Sequence, residues 1–135
     1  MISALFLASA LAAAPTPTTP AEVLGICRFN AALADEALMH HVVDLTGTVS
    51  DIQRDGIGGY IVLLEGKSHL GVFAGRVEIR CHFSPAARSG LAKIKPGEAV
   101  TIRGVPRELR DHLHFPVDRN VSIKMMDCQL LEAAE

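Results

Sequence analysis

At 135 residues the chain has material for one domain around one hydrophobic core, which excludes a multidomain architecture. A net charge of −2, no Trp and one Tyr argue against a strongly basic, aromatic-rich nucleic-acid surface. The charge is uneven: seven acids face two bases before Lys67, and eight acids face eleven bases from Lys67 onward, so any basic patch belongs to the second half.

Residues 1–14 form an apolar, Ala- and Leu-rich run, too short to cross a bilayer and ending in small residues. The small-x-small set Ala10-Leu11-Ala12 predicts cleavage after Ala12. The expected organisation is a signal peptide over 1–12, a Pro/Thr linker over 13–20 and one domain over 21–132, in a periplasmic or secreted protein. Leu24-Gly25-Ile26-Cys27 is not a lipid-attachment box, because Ile26 is bulky where a small residue is needed and the linker separates Cys27 from the apolar run.

Ala21 to about Met39 places apolar residues three and four apart and predicts an amphipathic helix. Val42–Ile52 alternates apolar and polar side chains as a half-buried strand, with Gly47 marking a bend or bulge. Arg54-Asp55-Gly56-Ile57-Gly58-Gly59 reads as a flexible turn, and Tyr60–Leu64 as a second strand. A polar excursion over Glu65–Arg76 leads to a third strand, Val77–Phe83, with Val77, Ile79, Cys81 and Phe83 toward the core. Ser84-Pro85 opens a short helix running to about Ile94, stopped by Lys95-Pro96-Gly97-Glu98. Ala99–Val105 and Arg119–Leu130 are the fourth and fifth strands, joined by a loop from Pro106 to Asp118.

Five short strands with a helix between the third and fourth, preceded by an N-terminal helix, predict a mainly β fold: a closed five-stranded OB-fold barrel. An open α+β sheet is the alternative with the same element order. Three cysteines suit an oxidising compartment if two of them pair, and Cys81 and Cys128, both at inward positions of strands, are the expected disulfide, leaving Cys27 on the helix outside it. Small buried hydrophobes are the competing reading of all three.

Asn30 and Ala34, Val43-Asp44-Leu45-Thr46-Gly47-Thr48-Val49, Tyr60-Ile61-Val62-Leu63, Cys81-His82-Phe83, the segment from Lys95 to Gly104 and Asp127-Cys128-Gln129-Leu130 occur in an order that resembles a family of small bacterial exported OB-fold proteins described as tRNA-anticodon-binding-like. The resemblance covers about Leu24 to Leu131. Leu38 stands where the family usually has an aromatic, and a glycine is usual near His40. The resemblance implies an OB barrel and transfers no catalytic or binding residue.

No nucleophile elbow, phosphate loop or converging metal-ligand set is evident, so neither enzyme activity nor a cofactor is expected. His112 and His114, with His82, His40 or His41, are the only histidines whose spacing invites a metal, and ordinary solvated histidines explain them. The expected function is a binding module for an envelope protein, a glycan or a small ligand, held across the second and third strands. Its candidate binding residues are Tyr60, Arg80, His82, Arg103, Arg107 and Phe115. A single-stranded nucleic-acid binder is the alternative; it would use Tyr60, Phe73 or Phe115 beside Arg54, Arg76, Arg80, Arg103, Arg107 and Arg110.

Overall fold

The structure, a computed structural model, describes residues 17–70, 73–114 and 118–133. The expected signal peptide lies outside them. A two-residue strand, Pro17–Thr18, leads into helices α1 (Pro20–Phe29) and α2 (Ala31–Leu38). Strands β1 (Val43–Arg54), β2 (Tyr60–Leu70) and β3 (Phe73–Phe83) follow, then a 3-10 turn (Pro85–Ala87), helix α3 (Arg88–Leu91), β4 (Ala99–His114) and β5 (Asp118–Ala133).

The expected single N-terminal helix is two. Asn30 adopts an extended backbone (φ −162°, ψ 108°) that no helix can pass through. Its Oδ1 accepts from the amides of Ala32 and Leu33 at 3.0 and 3.1 Å, so the residue that ends α1 also caps α2. The short helix also ends earlier than expected, at Leu91, and Ser84 makes no side-chain cap.

The sheet closes. Antiparallel pairs β1–β2, β2–β3, β4–β5 and β1–β4 are completed by a parallel pair, β3–β5, to give the five-stranded OB barrel. Over the described residues the polar excursion and the loop are instead continuations of paired strands: 65–70 and 73–76 pair across β2–β3, where Glu65 meets Glu78, and 106–114 pair with β5, where Glu108 meets Lys124. The sequence of neither segment alternates cleanly, and cross-strand pairing carries the strands past the apolar runs Tyr60–Leu64, Val77–Phe83 and Ala99–Val105. Pro106 is accommodated where the β4–β5 register slips on both sides of it, and its carbonyl accepts from the His40 amide at 2.8 Å.

The barrel interior holds Leu45, Val49, Val62, Leu64, Val77, Ile79, Val100, Ile102, Val121, Ile123 and Met125, all nearly or fully buried. Each such side chain contributes about 1.5–3 kcal/mol relative to exposure. Helix α1 adds Val23, Leu24 and Cys27 to the same core. Gly47 is not the bend; it pairs regularly with Val100, and the β1 irregularity lies between Val49 and Asp51. The glycine is needed for close approach: a Cβ at Gly47 would lie 3.0 Å from Pro20 Cγ, and one at Gly66 2.7 Å from Pro20 Cβ. Buried Pro20, at the first turn of α1, sits on these two glycines. No helix among the described residues is long and apolar enough to cross a membrane.

Candidate ligand-binding face

The pleat decides which side chains leave the barrel. On β3, Val77, Ile79 and Cys81 point inward, so Arg76, Glu78, Arg80 and His82 point out. On β5, Val121, Ile123 and Met125 point inward, so Asn120, Ser122 and Lys124 point out. The parallel register sets Glu78 beside Ser122 and Arg80 beside Lys124. Across the next seam Glu108 lies opposite Lys124, and Arg110 opposite Ser122.

Two shallow grooves of about 290 and 280 Å³ run over this surface and share Ser122. The first is lined by Arg80, His82, Glu108, Arg110, Ser122 and Lys124. The second adds Glu65, Arg76, Glu78 and Asn120. Three arginines are engaged along the face: Arg76 with Glu65 at 3.7 Å, Arg80 with Glu78 at 3.2 Å and Arg110 with Glu108 at 2.7 Å. These pairs are exposed, so they orient the guanidinium groups more than they stabilise the fold. Lys124 makes no ion pair among the described residues and stands between Arg80 and Glu108 in the register.

Burial first, then the Lys124 and Arg80 cations, push the His82 pKa below its ordinary value of 6.5, and Asp55 opposes them. At neutral pH the imidazole is therefore uncharged and can both donate and accept. Asp55 is fixed by the preceding turn, where its Oδ1 accepts from the amides of Ile57 at 2.8 Å and Gly59 at 2.9 Å. Gly56 and Gly58, at φ 87° and 101°, provide the left-handed backbone that this turn demands. The turn is thus held by its own hydrogen bonds.

The six candidate residues do not form one site. Arg80 and His82 share the groove. Tyr60 follows the inward parity of Val62 and Leu64, packs against the core, and its hydroxyl accepts from Arg88 Nε at 3.1 Å. Arg103 is committed to the β1–β4 seam, where it donates to both carboxylate oxygens of buried Asp44 at 2.8 and 3.1 Å. That bond holds the guanidinium pKa above its ordinary value. Arg107 bonds His40 Nδ1 at 3.1 Å and approaches Asp127 at 3.9 Å, away from the groove. Phe115 lies outside the described residues, as do the side chains of Phe73, His112 and His114. Among the described residues no three His, Cys, Asp or Glu side chains gather as a metal would require.

The face expected on the second and third strands is thus built mainly by β3, β5 and β4, to which β2 contributes Glu65. Glu108, Ser122 and Lys124 were not singled out from the sequence. The signal was present in the Val121-Ser122-Ile123-Lys124-Met125 alternation, but only the β3–β5 register turns it into a shared surface.

Cys81 and Cys128 are both buried in the barrel as free thiols with no disulfide between them, and Cys128 Sγ donates to the Met125 carbonyl at 3.6 Å. The neighbouring Cys128 thiol, then burial, push the Cys81 pKa up.

No family model matches the chain, and no curated protein does. Among solved structures, the chain is similar to a "putative nucleic acid-binding lipoprotein" from Klebsiella pneumoniae subsp. pneumoniae MGH 78578, with a TM-score of 0.58, 16% identity, and 92% of this chain and 97% of that one covered. An aspartyl tRNA synthetase from Entamoeba histolytica aligns with 73% of this chain and 20% of its own at a TM-score of 0.40 and 14% identity. A small single-stranded DNA binding protein from Mycoplasma pneumoniae aligns with 72% of this chain and 99% of its own at 0.38 and 16%. At these identities the first likeness speaks to the fold alone, and it agrees with the barrel closure: the domain is an OB fold.

Proposed function

We propose that the protein is a non-enzymatic OB-fold binding module that holds an extended anionic ligand along the outer face of β3, β5 and β4, single-stranded nucleic acid being the ligand class that fits best. The observation that carries this reading is the placement of Lys124, without a carboxylate partner among the described residues, next to Arg80 and across the groove from Arg110. An anion entering there meets one unengaged ammonium, two guanidinium forks already held extended by their glutamates, and the Ser122 hydroxyl. Uncharged His82 adds a hydrogen bond at no electrostatic cost. The OB-fold neighbour described as a "putative nucleic acid-binding lipoprotein" adds support in kind.

A second reading, a glycan or envelope protein, draws on the three glutamates along the same face, which suit a partner of mixed charge or hydroxyl chemistry. Fluorescence anisotropy of a labelled single-stranded oligonucleotide over a salt series separates the two. The anionic reading expects binding that weakens steeply with salt and falls about 10-fold for Lys124→Glu at low salt. Absence of binding at low salt removes the nucleic-acid reading.

A further inference from the structure

We infer that Cys81 and Cys128 are a disulfide-forming pair, a covalent staple between β3 and β5 made while the barrel is being assembled. The inference rests on how the chain brings the two sulfurs together. Cys81 points into the barrel and lies opposite Met125 in the parallel register. Cys128 is three residues past Met125, and strict alternation would turn it outward. A bulge reverses that parity: Asp127 takes a left-handed backbone (φ 55°), and on the facing strand the register slips between Arg103 and Val105. The Cys128 side chain therefore turns back into the core, where its Sγ lies 3.6 Å from the Met125 carbonyl oxygen, at the level of Cys81.

Gly104 makes room for this arrangement. A Cβ there would lie 2.8 Å from Cys128 Sγ and 2.7 Å from Met125 Cε. A glycine opposite the bulge, a left-handed non-glycine residue inside it and two inward, buried cysteines that both neighbour Met125 form one local device. Its effect is to bring both cysteines to the same level of the parallel seam that closes the barrel.

Both thiols are shielded once the barrel is shut, so exchange belongs to the folding chain. One cysteine thiolate attacks a small-molecule or protein disulfide, forming a mixed disulfide and releasing one thiol. The second thiolate displaces the other sulfur. Two cysteine thiols are oxidised to one disulfide, one external disulfide is reduced to two thiols, and the two protons lost by the cysteines are taken up by the thiols released. The oxidant is therefore a disulfide donor, the class that an oxidising compartment supplies.

The full-length protein, reduced and unfolded, is to be refolded with a mixture of oxidised and reduced glutathione, quenched with an alkylating agent and assayed for thiols in denaturant. The expected result is one thiol in place of three, and a peptide map joining Cys81 to Cys128. The loop closed spans roughly 50 residues, so the oxidised chain should melt about 10 °C above its reduced form. Cys27→Ala should still form the bridge, and Cys128→Ala should keep two thiols and lose the difference in melting. Three thiols after refolding with glutathione, or a bridge that uses Cys27, overturns the proposal whatever the variants do.

Discussion

His82 shows how much one side chain's behaviour depends on neighbours from other elements. Its pKa is lowered by burial, by Lys124 from β5 and by Arg80 from its own strand, while Asp55 from the turn pulls the other way. The folded chain therefore takes up a proton less readily than the unfolded one. His82's contribution to stability is present above pH 6.5 and is lost as the pH falls through the lowered pKa. Denaturant midpoints measured above and below that window should fall more for the native chain than for His82→Asn, and equal slopes would contradict the assignment. An anion in the groove reverses the local field and raises the same pKa, so binding should tighten as the pH drops below 6.5, an increment that His82→Asn removes. None of this is legible from the sequence, because Lys124 is 42 positions away and reaches His82 only through the parallel seam. Arg103 carries the same lesson in reverse. It looks like a free cation in the chain, and only the pairing of Asp44 with Arg103 reveals that it is occupied.

Among the elements, those whose signals are local were legible. Three of the five strands show clean alternation, and the Asp55 turn carries its own glycines. The hinge between α1 and α2 was not, since apolar spacing of three and four continues through Asn30 and masks the break. Asn30 is both an interruption and a cap, and its Oδ1 satisfies two amides that α2 would otherwise leave open. Asn30→Ala should cost about 0.5–2 kcal/mol in a denaturant titration, and Asn30→Asp or Asn30→Ser should recover most of it. A neutral alanine variant would mean that α2 is held by packing of Ala34 and Leu38 alone. The outer halves of β2 through β5 were misread as excursion and loop for a physical reason. Cross-strand pairing extends a strand without needing a regular apolar alternation, and that alternation is the only signal a single sequence offers for it.

At the scale of the molecule, connectivity was legible from element order, and the barrel's closure follows from it. We propose export from the apolar pattern of residues 1–12: protein recovered from the envelope fraction should begin at Ala13 by N-terminal sequencing, and an intact Met1 in that fraction would contradict it. What the sequence could not convey is which strands share an outer surface, because that depends on β3 meeting β5 rather than its chain neighbour β4. The same placement of β5 governs the order of events in biosynthesis. β5 follows in the chain both strands that it joins, so until its 16 residues are made β3 and β4 present bare hydrogen-bonding edges toward it. A nascent chain of this design cannot complete its barrel before β5 has been made.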